Sequence, residues 1–225
     1  MKYKGIIFDY NGTLFFDSKK HYDAWKLFSK QLRGYEFSDD EMRNHMFGRT
    51  NEDIISYAIG KKPDRKLCQK LAKEKESLYR QMCLKDRENF HFAPYATDFL
   101  DFLCEKNIPH TIATMSEKDN VDFYIKEMNL PKWFDVSKIV YDDGTIPGKP
   151  APDIYLKAAK NLNLLPEQCI VVEDAVSGIK AAKNAGIGYI VAIASLESKE
   201  LYKNMSEVNE IISDYSQFNR ELFSV

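Results

Sequence analysis

The amino-acid sequence predicts an α/β fold, a doubly wound parallel sheet with a small helical domain inserted after its first strand. Three observations predict it. Short apolar runs, too short for helices, recur along the chain and suit central parallel strands buried on both faces. From about Ala93 onward helical patterns alternate with these runs, as expected of right-handed crossovers whose helices cover both faces of a sheet. Between Asp17 and about Asn89 the alternation stops, and the sequence holds amphipathic helical patterns without a convincing strand.

The first strand is expected at Tyr3 to Asp9, where adjacent isoleucines run into a carboxylate. Helices follow at Ser18 to Leu32, Asp39 to Met46, Asn51 to Ile59 and Asp64 to Cys83. The run Ser38-Asp39-Asp40-Glu41 has the Ser-x-x-Glu form of a capping box and marks a helix start. Further strands are expected at Thr111 to Thr114, Ile139 to Tyr141, Cys169 to Glu173, Tyr189 to Ile193 and Glu210 to Ser213, with a helix at Asp153 to Asn161. The domains are then a Rossmann-like core of 1–16 and 90–225, and a helical cap of 17–89. Ligands of open α/β sheets bind beyond the carboxyl ends of the strands, so an insert leaving the first strand at Asp9 is expected to overhang that crevice.

Composition narrows the function classes. The 225-residue chain is long enough for one α/β domain with a small insert. Thirty-two basic against thirty-four acidic residues leave a net charge of −2, which gives no electrostatic case for nucleic acid or an anionic membrane. Lys61-Lys62 and Lys70 to Lys75 are interleaved with acids and read as solvated helix faces. Cys68, Cys83, Cys104 and Cys169 lack Cys-x-x-Cys spacing, so reduced thiols are expected rather than a zinc site or a disulfide framework. With a strand starting within a few residues of Met1 and no apolar run of spanning length, a cytoplasmic protein is expected, a monomer or at most a dimer.

Four clusters end predicted strands or open loops at one edge of the sheet. At Asp9 to Thr13 a strand-tip carboxylate faces the amides of the following loop. That geometry suits attack on a phosphoryl group and retention of the transferred charge, although an Asp serving only the turn is the alternative. At Ile112-Ala113-Thr114, with Ser116 just beyond, a hydroxyl can bind a phosphate oxygen, though taken alone this cluster favours a structural Thr. In Gly148-Lys149-Pro150-Ala151-Pro152-Asp153 two prolines are expected to hold the segment extended, with Pro152 at the first helical turn. Lys149 would then neutralise Asp9 and an incoming phosphoryl group, a solvated Lys being the alternative. Ile170-Val171-Val172-Glu173-Asp174 ends in adjacent acids which, with Asp9, suit magnesium; the alternative is capping of the helix from Ala175.

In this order, the four clusters resemble the haloacid dehalogenase superfamily, in the branch with a helical cap after the first motif, and the resemblance spans nearly the whole chain. It implies that Asp9 is the covalent nucleophile, Thr114 the phosphate-binding hydroxyl and Lys149 the charge anchor. It further implies that Asp174 ligates Mg2+ directly, Glu173 directly or through water, and Asn11 through its backbone carbonyl. His21 with Trp25, Gly48-Arg49-Thr50 and Leu71-Ala72-Lys73-Glu74-Lys75 are similar to parts of β-phosphoglucomutases and sugar-phosphate phosphatases. Arg49, Lys75 and Ser116 are thus candidate substrate contacts, with an exposed helical Lys as the alternative at position 75. His21 is either an orienting group or a core histidine. The mutases carry their sugar-phosphate arginine later, where this chain has Asn51-Glu52.

The resemblance also places an acid/base Asp at position 11, where this chain has Asn. An amide cannot titrate, and such assistance is typically worth ~10²–10⁴-fold. Dehalogenases lack that Asp too but dispense with the metal, so the intact Glu173-Asp174 pair argues for phosphorus chemistry. The leading expectation is a magnesium-dependent phosphatase of small phosphorylated metabolites, of modest rate or favouring good leaving groups. The alternatives are a β-phosphoglucomutase-like mutase in which His21 or another cap residue replaces the acid, and a catalytically weak protein that binds a phosphometabolite.

Overall fold

In the computed structural model, which describes residues 2–46, 49–195 and 199–223, the first strand β1 (Gly5–Phe8) leads into helices α1 (Ser18–Arg33), α2 (Asp39–His45), α3 (Asn51–Ile59) and α4 (Arg65–Lys85). Helix α5 (Ala96–Glu105) then opens the alternation of β2 (His110–Glu117), α6 (Lys118–Glu127), β3 (Val140–Asp142), α7 (Asp153–Asn161), β4 (Cys169–Glu173), α8 (Val176–Asn184), β5 (Tyr189–Ile193), α9 (Glu200–Lys203) and β6 (Glu210–Ile212). The chain falls into two compact units, one of 1–16 with 91–225 and one of 17–90.

The first unit is built on a parallel sheet whose six described strands run in the order β3-β2-β1-β4-β5-β6. Because β1 is flanked by β2 and β4, the chain leaves it in opposite directions, and the crevice at the strand ends opens beside Asp9. Alternate residues serve the two faces of the sheet. Ile7, Ala113, Val171, Ile190 and Ala192 pack with Ile154, Tyr155 and Ala158 of α7 and Ile179 of α8. Phe8 instead meets Phe99 of α5, Phe134 and Tyr215, with ring centroids 6.2, 6.3 and 6.0 Å away. β2 runs past Thr114 to Glu117, and its pairing with β3 is irregular between Ala113 and Glu117.

The second unit gathers Trp25, Phe28, Phe37, Met42, Ile54, Ile55 and Leu71 into its own apolar core. The starts of α2, α3 and α4 have local causes. Ser38 and Glu41 form the expected capping box at α2, Thr50 and Asp53 form another at α3, and the Asp64 side chain caps α4. Gly34 and Gly60 end α1 and α3 at φ values of 86° and 71°, a conformation that other residues adopt with strain. One expectation is corrected here. Lys70 and Lys73 are exposed, but Lys75 is 1 % exposed, because His21 and Glu76 hold its ammonium above the ring of Trp25.

Candidate active site

Residues of the expected strand tips meet at the carboxyl edge of the sheet. The backbone N–H of Asp9 continues the β1–β4 ladder by donating to Val172 O at 3.0 Å, which sets Asp9 beside Glu173. The Lys149 ammonium lies between them, 2.6 Å from Asp9 Oδ1 and 2.5 Å from Glu173 Oε1. All three side chains are at most one-tenth exposed. Burial alone would lower the Lys149 pKa, but the charges of Asp9 and Glu173 hold it well above its ordinary value. A solvated lysine is therefore not what this loop builds. The segment before α7 turns rather than running extended, with Ala151 N–H donating to Gly148 O at 3.1 Å and Pro152 as the residue preceding the helix. That turn brings Lys149 back over the strand tips.

Glu173 and Asp174 have different surroundings. Glu173 Oε1 also accepts from the Tyr155 hydroxyl at 3.1 Å, and its Oε2 accepts from Ala175 N–H at 2.7 Å. Its carboxylate packs so closely on α8 that a Cβ at Gly178 would lie 1.6 Å from Oε1. Asp174 Oδ1 accepts from Thr13 Oγ1 at 3.1 Å, and the Asp174 carbonyl accepts from the Tyr202 hydroxyl at 2.6 Å. The capping alternative is met in part, since Glu173 Oε2 accepts from the N–H of Ala175, the residue that precedes α8. The loop after β1 brings Gly12 to φ 75°, where a Cβ would lie 2.1 Å from Asp174 Oδ2. Only glycine satisfies both the conformation and the close approach.

Oxygens of Asp9, Glu173 and Asp174 lie within 4.8 Å of one another. Three carboxylates share one lysine, and the imbalance shows at Asp174. Burial first, then the charges of Glu173 and Asp9, push its pKa well above the carboxylate range. An all-oxygen, charge-deficient set of this kind fits a hard divalent cation. Glu173, already accepting from three protein donors, fits contact through water better than direct ligation.

Asn11 is held on both sides. Its Nδ2 donates to the Tyr124 hydroxyl at 2.9 Å, and its Oδ1 accepts from Ser116 Oγ at 2.7 Å. Thr114 Oγ1 accepts from Ser116 N–H at 3.1 Å, which orients the hydroxyl. Asp9, Asn11, Thr114, Ser116, Lys149, Glu173 and Asp174 thus share one edge of the first unit. The other candidates lie in the second unit. There His21 stacks on Tyr79 at 3.9 Å, with Nδ1 2.9 Å from Lys75 Nζ and Nε2 3.3 Å from Asp17 Oδ2. Arg49 is exposed, and Gly48 lies outside the described residues. Sequence reasoning missed Tyr155, Tyr124 and Tyr202. Nothing in the sequence signals what their hydroxyls meet.

The family model described as haloacid dehalogenase-like hydrolase matches residues 3–186. The chain belongs to that family. Over 192 residues it is 29% identical to a phosphorylated carbohydrates phosphatase of Thermotoga maritima, a match covering 84% of this chain and 85% of the relative. The crystal structure of a HAD hydrolase, family IA, variant 3, from Entamoeba histolytica superposes with a TM-score of 0.93 at 38% identity, covering 97% of this chain and 96% of that one. A β-phosphoglucomutase from Clostridium difficile superposes at 0.76 with 24% identity over 97% and 94% of the two chains, a likeness that extends to the fold. Membership of a hydrolase family with phosphatase relatives over most of its length makes this haloacid dehalogenase-like chain an enzyme of the phosphatase class. Among its described residues no helix is long and apolar enough to cross a membrane.

Proposed function

We propose that this enzyme is a magnesium-dependent phosphatase of small phosphorylated metabolites, acting in the cytoplasm through an aspartyl-phosphate on Asp9, with Asn11 in place of the usual acid/base carboxylate. One observation carries the reading: the Lys149 ammonium bridges Asp9 and Glu173 while Asp174 completes a carboxylate cluster beside them. Asp9 and Asp174 would hold the Mg2+, joined by the Asn11 carbonyl, with Glu173 acting through water. The ion would supply positive charge for the phosphoryl oxygens.

The remaining roles fall to the chain itself. Asp9, with one oxygen held by Lys149, presents the other for attack on phosphorus. Lys149 offsets the charge that builds up on the transferring group, and the Thr114 hydroxyl, oriented by Ser116 N–H, donates to a phosphoryl oxygen. Water then hydrolyses the aspartyl-phosphate. The Asn11 amide, bonded to Ser116 and Tyr124, neither gives nor takes a proton, so leaving groups that depart unprotonated, such as those of acyl phosphates and anhydrides, are favoured. The helical unit of 17–90 carries the remaining candidates, His21, Arg49 and Lys75.

The test is phosphate release from acetyl phosphate and a panel of sugar phosphates, with magnesium and with chelator. Release is expected to require magnesium and to vanish in Asp9→Ala. An Asp9→Ala protein that retains the wild-type rate overturns the reading.

A further inference from the structure

Tyr155 joins two parts of the site that are distant in the chain. It stands in the first turn of α7, directly after the loop bearing Lys149, and its hydroxyl donates to Glu173 Oε1 at the tip of β4. That same oxygen accepts from Lys149 Nζ, and the ammonium lies 5.2 Å from the centroid of the Tyr155 ring. The ring and the hydroxyl therefore act on the two ends of one ion pair, the ring on the cation and the hydroxyl on the carboxylate.

The side chain is fully buried among Ile7, Val171 and Ile179, and a phenylalanine would serve that packing equally well. A hydroxyl taken out of water is unfavourable unless it is bonded, and here its acceptor is a site carboxylate. The other restraints on Glu173 are the Ala175 N–H on Oε2 and the close face of α8 at Gly178. Together with Tyr155 they leave the carboxylate a single position. Lys149 is then placed to reach Asp9 rather than swing toward Glu173 alone.

We propose that Tyr155 is a positioning residue for the phosphatase reaction: through Glu173 and Lys149 it fixes the ammonium against Asp9 and keeps Glu173 oriented toward the cation site. This rests on the function proposed above. Groups that orient the ligands of a metal site typically change metal affinity or activity by about 10- to 100-fold when removed, and Tyr155 is expected to fall in that class.

The experiment compares wild type with Tyr155→Phe in three measurements: steady-state hydrolysis of acetyl phosphate, magnesium binding by calorimetry, and thermal unfolding. Tyr155→Phe is expected to lower kcat and weaken magnesium binding by about 10-fold or more, with KM for acetyl phosphate unchanged and the unfolding temperature lowered by the loss of one buried hydrogen bond. A purely packing role would leave kcat and magnesium affinity at wild-type values. That result, in an active wild-type enzyme, overturns the inference and leaves the phosphatase function standing. A wild type with neither magnesium binding nor phosphate release overturns the function and the inference together.

Discussion

Asn11→Asp exchanges an amide nitrogen for an oxygen at almost constant volume, so the packing around position 11 is preserved and a change in rate reports chemistry. In the wild type Oδ1 accepts from Ser116 Oγ at 2.7 Å and Nδ2 donates to the Tyr124 hydroxyl at 2.9 Å. After the substitution the Tyr124 hydroxyl turns round to donate, and the new carboxylate accepts two O–H bonds. Both favour its charged form. Acid–base assistance is typically worth ~10²–10⁴-fold, about 3 to 5 kcal/mol of barrier. Hydrogen bonds to charged groups contribute about 1.5 to 3 kcal/mol each, so the two hydroxyls oppose the protonated form needed to assist a leaving group. The base role, activation of water against the aspartyl-phosphate, is retained, but it is common to all substrates and follows the step that kcat/KM reports. The expected gain in kcat/KM on a sugar phosphate is therefore near the lower limit, roughly 10²-fold. On acetyl phosphate or p-nitrophenyl phosphate, which need no protonation to leave, the gain is expected to stay under about 10-fold. Phosphate release from the three substrates, measured with magnesium over a range of pH, checks this. Equal gains on all three, or none on any, would refute the argument that position 11 limits poor leaving groups.

Gly178→Ala places a Cβ against Glu173 Oε1, where the ideal position is 1.6 Å away. Overpacking of this kind costs about 1 to 3 kcal/mol, and denaturant unfolding together with weakened magnesium binding is the expected readout. Burial raises the Cys83 and Cys169 thiols from 9.0 to about 12. Both are expected to resist a thiol reagent near pH 8 in the native protein, while the exposed Cys104 reacts. The same shifts favour the protonated thiol in the folded state. Their contribution to stability is complete below pH 9 and is lost as pH rises toward about 12, a decline that unfolding measurements across that window would detect.

The residues that strand patterns could expose were legible. Asp9, Thr114 and the Glu173-Asp174 pair each follow an apolar run whose length and composition already suggest a buried parallel strand. The helices over Asn51–Ile59 and Asp153–Asn161 begin and end as their sequences indicate. The capping box at Ser38 and Glu41 is a contact between near neighbours, the range over which sequence is most informative.

Contacts between distant segments were not legible. Thr13 and Asp174 are 161 positions apart, and neither predicts the other. The twin demand on Gly12, a positive φ and room for the Asp174 carboxylate, exists only once β1 and β4 pair. Lys75 reads as one more solvated lysine until α1 supplies His21 and Trp25 around it. Tyr155 and Tyr124 carry no functional signal in the sequence, because apolar periodicity reports which face is buried and not which atom a hydroxyl will meet.

The sequence by itself determined the fold class, the order of the strands that carry chemistry, and the amide at position 11, because these are local patterns of apolarity and residue type. Tertiary structure alone decided that Lys149 is a buried bridge and that Glu173 is nearly saturated by protein donors. It also decided that Asn11 is held between Ser116 and Tyr124. Those are outcomes of where the ends of β1, β2 and β4 and the loop before α7 converge, and convergence is set by packing across the whole sheet.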